Sequence, residues 1–247
     1  MTTIATMFTP AQRERLRQQI PMRYSCRRFN AAPSMSDWAA LAYAAQRFTL
    51  PGVRIALCPV EDALFTGIPL GPERVSGCRC AAVVIASSAH PNARIHAGVS
   101  GEALVLEAAA LGLGSCWVSG TYRKRMLDIA LSPDESVLSL IALGVPASPM
   151  PARRSRKEIS RICAADFSQW SQTLQDVAKA VQWAPSAMNL QPWQMALTPR
   201  GFTLDGSDRS RLDIGIALCH AEVTLSEPHQ WVLGTHRSQP LALLRGL

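Results

Sequence analysis

Apolar and polar positions change period several times along the chain, and each change marks an element. Residues 9–20 carry Leu16 and Ile20 among charged positions, which predicts a helix that Pro21 closes. Ser36 to Gln46 predicts a second helix, with Ser34 or Ser36 as its N-cap. Val53 to Leu57 reads as a strand, and the proline- and glycine-rich stretch 59–79 as irregular. Ala81 to Ala86 is an unbroken apolar run, the pattern of a buried strand. Gly98 to Leu111 is an apolar helix that Gly112 or Gly114 ends. Cys116 to Val118 reads as a strand with a turn at Ser119–Gly120, Tyr122 to Ala130 as a helix, and Val137 to Leu143 as a strand leading into Gly144-Val-Pro146. Leu174, Val177, Ala178 and Val181 recur at helical spacing until Pro185, and Gln194 to Leu197 is a short strand.

The pattern also repeats. Asp37–Ala45 aligns with Asp176–Ala184, Arg54–Leu57 with Gln194–Leu197, and Ala97–Glu102 with Ile214–Cys219. The shared order of the three echoes predicts two related halves, 1–160 and an abbreviated 161–247, packed as one globular unit. Between the second-half helix and its strand lies Trp183-Ala-Pro-Ser-Ala-Met-Asn-Leu-Gln-Pro-Trp193. Its hydroxyl and amides, walled by tryptophans, can hydrogen-bond something flat and polar. They can equally staple the turn itself, with Asn189 bonding its own backbone.

Composition narrows the class. With 247 residues and 48% hydrophobic residues the chain buries a sizeable core and is not disordered. Its apolar runs are too short or too interrupted to span a membrane. The N-terminus lacks a charged-then-apolar signal pattern, so the expected location is cytoplasmic. Seven cysteines without a Cys-x-x-Cys pair argue against a zinc or disulfide framework. The net charge of +7 comes from arginines, clustered at 123–125 and 153–157. Nucleic acid would suit such clusters, but no nucleic-acid motif accompanies them and aromatic residues are only 6%. Glu102 and Glu107 are the only charges of the 98–111 helix and are expected at its rim or end, because charged groups are rarely buried. The five histidines, His90, His96, His220, His229 and His236, are scattered, and no nucleophile motif accompanies them.

Ala184-Pro-Ser-Ala-Met-Asn-Leu-Gln-Pro-Trp193 resembles the flavin-binding turn of the nitroreductase family, the FMN-dependent NAD(P)H oxidoreductases. Arg23-Tyr-Ser-Cys-Arg-Arg-Phe29 resembles the family's amino-terminal Arg-x-Ser-x-Arg-x-Phe, Glu102 to Val118 its central helix and following strand, and Leu143-Gly-Val-Pro146 with its basic run the carboxyl-terminal end. The resemblance implies an α+β, nitroreductase-like fold, a central, mostly antiparallel sheet flanked by helices. It implies FMN contacts from Arg23, Tyr24, Ser25 and Arg27, then Trp117, Ser119 and Gly120 beside the reactive edge. Pro185, Ser186, Ala187, Asn189 and Gln191 follow from the turn, and Arg154 and Arg156 hold the phosphate, with Arg153 a near alternative. Ser119 stands where many members carry glutamate. No residue is implied as catalytic, because the flavin carries the chemistry, and no metal.

Members of the family are ordinarily homodimers, one subunit giving a flavin its arginine segment and the other the turn. Here the first half holds the arginine segment and a degenerate turn, Gln46 to Pro51, and the second half holds the intact turn. The expectation is a pseudo-dimer in one chain with one FMN, monomeric or a weak homodimer. It would take hydride from NADH or NADPH to a small aromatic acceptor such as a nitro compound or quinone. A flavin-binding or sensing protein with little turnover is the alternative, and neither nucleic acid nor membrane is an expected partner.

Overall fold

The computed structural model describes residues 3–67, 73–150, 155–236 and 239–246. Helix α1, Pro10–Arg17, starts in a capping box between Thr9 and Gln12, with proline at its first position. Strand β1 is Phe29–Ala31. Helix α2, Met35–Arg47, starts in a capping box between Ser34 and Asp37, which resolves the choice of N-cap in favour of Ser34. Strands β2, Val53–Pro59, and β3, Cys80–Ser87, follow. β3 is buried on both faces from Cys80 to Ala86, which is why its sequence does not alternate. Helix α3 is Ala93–Ala110, strand β4 Gly114–Val118 and strand β5 Glu135–Pro146. The chain continues with α4, Gln172–Gln182, β6, Gln194–Thr198, and β7, Gly201–Asp205. It ends with α5, Arg211–Thr224, β8, Gln230–Leu233, and β9, Ala242–Arg245.

The strands form two antiparallel sheets rather than one central sheet. One runs β1-β5-β3-β2 with β4 also on β5, the other β6-β7-β9-β8. The element order α2-β2-β3-α3-β4-β5 recurs as α4-β6-β7-α5-β8-β9. Strand neighbours recur with it, β2-β3-β5-β4 against β6-β7-β9-β8. Between the sheets α3 and α5 cross in direct contact. The crossing depends on two glycines that the sequence echo aligns. A Cβ on Gly98 would lie 2.2 Å from the Leu212 carbonyl oxygen and 2.7 Å from Gly215 Cα. One on Gly215 would lie 2.0 Å from the Ile95 carbonyl oxygen. Among the described residues no helix is long and apolar enough to cross a membrane.

The segment 122–130 departs from expectation. It holds a single 3-10 turn, Lys124–Met126, and no α-helix. Tyr122 instead bridges Phe65, and the Arg123 amide donates to the Leu64 carbonyl. The stretch Leu64 to Thr66, at the end of the 3-10 turn Asp62–Leu64, therefore supplies backbone partners that outcompete a local α-helix. Tyr122 is buried but Arg123 to Arg125 are exposed, so a helix there would have little apolar stripe to bury.

Candidate functional site

The segment Arg23–Arg27 runs extended beside β4. Ser25 forms a parallel bridge with Ser115, and the Cys26 amide donates to the Ser115 carbonyl. The two-residue period of an extended chain then turns Arg23, Ser25 and Arg27 to one side, where all three line a cavity of about 590 Å3. Cys26 faces the other way into the core. The Tyr24 hydroxyl donates to the Ser148 carbonyl, and burial together with Cys26 pushes its pKa up to about 12.

The opposite wall is the turn after α4. Met188, Asn189 and Gln191 take φ of 50°, 56° and 44°, left-handed values that cost non-glycine residues roughly 1 kcal/mol or more each. Hydrogen bonds hold the turn in place. The Gln191 amide donates to Ser186 Oγ at 2.8 Å, and its side chain bonds both the Asn189 carbonyl and the Lys157 amide. Arg156 donates to Asn189 Oδ1 and to the Trp183 carbonyl. Asp213, in the first turn of α5, accepts the Ala187 amide at 3.1 Å. The turn is thus stapled by its own side chains and also presents a polar surface.

Eleven of the residues named from sequence line this cavity: Arg23, Tyr24, Ser25, Arg27, Trp117, Ser119, Arg156, Pro185, Ser186, Ala187 and Asn189. Two do not. Gln191 is buried behind the turn as its staple, and Gly120 lies past the end of β4, outside the lining. Arg154, with its alternative Arg153, lies outside the described residues. Trp193, one of the tryptophans that wall the turn, is fully buried in the core. Sequence reasoning missed Arg74, Arg94, Arg209, Leu212 and Asp213, which also line the cavity. The echo aligning 97–102 with 214–219 lies next to the starts of α3 and α5, but carried no signal that these positions face a cavity.

Beneath the cavity lies a buried charged cluster. Glu102 is fully buried in α3, contrary to its expected place at a rim or end. Its two oxygens explain how. Oε2 accepts the Trp117 indole N–H at 2.7 Å, and Oε1 lies 2.9 Å from His220 Nε2 and 4.0 Å from Arg23 Nε. His220 Nδ1 is 3.0 Å from the Ala180 carbonyl, which can only accept, so Nδ1 carries a hydrogen. The Nε2–Oε1 contact then also holds one proton. For Arg23, burial lowers the pKa and Glu102 opposes that shift. Glu107 does sit near the end of α3, paired with Arg15. A second buried glutamate, Glu222, gathers the Trp231 indole, His229 and Arg13 near the end of α5.

The cysteines are all free, and burial pushes the thiols of Cys80 and Cys163 up to about 12, which leaves them unreactive near neutral pH. Among the described residues no group of three or more histidine, cysteine or acidic side chains is placed to hold a metal.

Two antiparallel sheets around a pair of crossing helices, with an arginine-lined cavity between the Arg23–Arg27 segment and the turn after α4, define an α+β protein. Residues 15–225 match the family described as "Putative TM nitroreductase", and the chain belongs to this nitroreductase family of oxidoreductases. The putative nitroreductase of Thermotoga maritima MSB8 shares the nitroreductase-like fold. The TM-score is 0.67 at 20% identity over 93% of this chain and 92% of that one. Nitroreductases with bound FMN from Desulfitobacterium hafniense DCB-2 and Bacteroides fragilis NCTC 9343 align at TM-scores of 0.43 and 0.46, with 18% and 14% identity. They cover 57% and 60% of this chain, and 94% and 96% of their own. No curated protein sequence matches significantly.

Proposed function

We propose that the chain binds one FMN in this cavity and passes hydride from NADH or NADPH to a small aromatic acceptor such as a nitro compound or quinone. The observation that carries the reading is the meeting of the Arg23–Arg27 segment and the 185–189 turn in one cavity within one chain. The donor set suits the group. Guanidinium forks from Arg23, Arg27 and Arg156, hydroxyls from Ser25 and Ser186 and the amide of Asn189 match phosphate and flavin oxygens. The volume falls within the roughly 300–1,000 Å3 usual for small-molecule sites.

FMN, when bound, supplies the hydride chemistry. The chain's residues bind and orient. Arg23, held by the buried Glu102, presents a fixed positive charge. Arg156 joins the basic run to the turn, so anything bound by one also positions the other. Trp117, its indole fixed by Glu102, gives the cavity a flat apolar wall. The Ser119 hydroxyl is engaged by Ser139 at 2.9 Å, in the place where many members carry a carboxylate. Exposed Met188 and Asn189 stand on the lining, and access to solvent favours turnover over a flavin-binding or sensing role.

The single-chain pseudo-dimer, with halves 1–160 and 161–247, is part of this proposal. The recurring element order, the paired glycines and one further correspondence support it. His96 bonds the Pro51 carbonyl after α2, as Asp213 bonds the Ala187 amide after α4. At the place of a second site, beside β8 and the degenerate turn, Ile4, Met7 and Phe8 are buried, with the rings of Phe8 and Phe48 5.1 Å apart. One cofactor per chain follows, in a cytoplasmic monomer or weak homodimer. The test is an absorption spectrum of the purified protein, then anaerobic addition of NADH and of NADPH. One FMN per chain, bleached by either nucleotide, is expected. A chain that takes up no FMN, or two, refutes the reading.

A further inference from the structure

The cavity carries more positive charge than the proposed cofactor contacts use. Arg74, Arg94 and Arg209 line it from three separate places: the loop before β3, the first turn of α3 and the turn before α5. All three are exposed. Among the described residues none of them makes an ion pair or side-chain hydrogen bond. Some exposed arginines elsewhere pair, as Arg17 with Glu14 and Arg28 with Glu73, and others, such as Arg125 and Arg200, do not, so what sets these three apart is that they gather on one cavity.

Arg94 is also placed against its own helix. The start of α3 is the positive end of the helix dipole, and its first turn holds no acidic residue. A cation there is disfavoured by the dipole and gains no partner. Two carboxylates line the cavity, and both have other work. Glu73 faces Arg28, and Asp213 accepts the Ala187 amide.

We propose that this arginine rim selects a substrate bearing an anionic group, a carboxylate or phosphate attached to the molecule that meets the flavin. The inference rests on the proposed function, because it takes the same cavity as the place of reaction. A guanidinium meets either anion with two parallel donors, and three of them around one mouth draw anions in through a field that salt screens. The anion has two sources: the 2′-phosphate of NADPH, or a carboxylate on the aromatic acceptor.

The experiment uses the full chain and begins with its FMN content and FMN dissociation constant. In one arm the donor is fixed, and kcat/KM is compared for 4-nitrobenzoate and its neutral analogue 4-nitrobenzamide. In the other the acceptor is fixed and NADPH is compared with NADH. A preference of about tenfold for the charged member of one pair is expected at low salt. It should fall towards one in the Arg94→Ala/Arg209→Ala double variant and at high salt. The arm in which the preference falls names the source. Ratios are read, so a general loss of activity does not mimic the result. No preference in either arm, or a preference that survives the double variant, overturns the inference. So does a variant that loses FMN affinity and keeps the preference, since the arginines would then serve the cofactor. A wild-type chain without FMN instead refutes the proposed function. The rim is then tested by itself, by tryptophan quenching on titration with the same two acceptors. Tighter, salt-sensitive binding of nitrobenzoate supports it, and equal binding overturns it.

Discussion

Replacing Glu102 by alanine removes the one acceptor shared by Trp117, His220 and Arg23, all three bonded to it or facing it within 4.0 Å. Glu102 and His220 are both fully buried, so water does not replace the lost partner. Removing one member of a buried charged pair costs about 3–5 kcal/mol. The indole N–H, left without its acceptor, belongs to the same loss, since the three contacts act as a unit and their costs do not add. Against a total stability of about 5–15 kcal/mol, the variant is expected to keep its fold with a much lower urea midpoint. Glu102→Gln keeps an oxygen for Trp117 and removes the charge, so it should fall between wild type and alanine. Equilibrium urea unfolding followed by tryptophan fluorescence gives both values. A loss below about 1 kcal/mol for Glu102→Ala would show that the cluster is not the connected unit described, and the account of how Arg23 and Trp117 are held would fail.

Gly215→Ala places a methyl 2.0 Å from the Ile95 carbonyl oxygen, so the helix crossing must open. A loss of about 1–3 kcal/mol in the same assay is expected, and no loss would refute the close crossing. Arg54 holds the Glu135 carboxyl down to about 2, so this pair stabilises the fold above the ordinary carboxylate range and stops doing so as the pH falls towards that value. The stability difference between wild type and Glu135→Gln should therefore shrink between pH 7 and pH 2.5, and a constant difference would contradict it. For His229, burial lowers the pKa, but Glu222 and the Glu227 carbonyl outweigh burial and raise it. Its contribution is full below about pH 6.5, the unfolded value, and fades as pH rises through the folded one. The melting temperature of His229→Ala should accordingly lie further below wild type at pH 5.5 than at pH 8.5.

What the sequence disclosed was local. The alternation of Arg23, Ser25 and Arg27 follows from extended backbone, and the position of α4 from its apolar stripe, so both were legible. The 122–130 segment was not, because its alternative partner lies some sixty residues away at Phe65. Glu102 was misplaced for the same reason: the residue that makes its burial tolerable, His220, is 118 positions distant. Gln191 was correctly grouped with the turn, but spacing does not tell a staple from a ligand. That depends on Lys157, whose amide reaches Gln191 Oε1. The short strands β7, β8 and β9, of four or five residues, carry too little periodicity to be separated from loops.

In the proposed pseudo-dimer, the contact between Glu102 and His220 joins one half of the chain to the other, and it has no mirror. The echo sets Glu102 opposite Cys219, so equivalent helix positions carry a carboxylate on one side and a thiol on the other. Two identical subunits could not make such a choice, since any substitution on one would appear on both, and a buried acid would have to find its counter-charge twice. The covalently joined pair proposed above would be free of that rule. On that proposal each face of the crossing could diverge alone, one towards an ionic seat beneath the cavity and the other towards the apolar fill of Ile4, Met7 and Phe8.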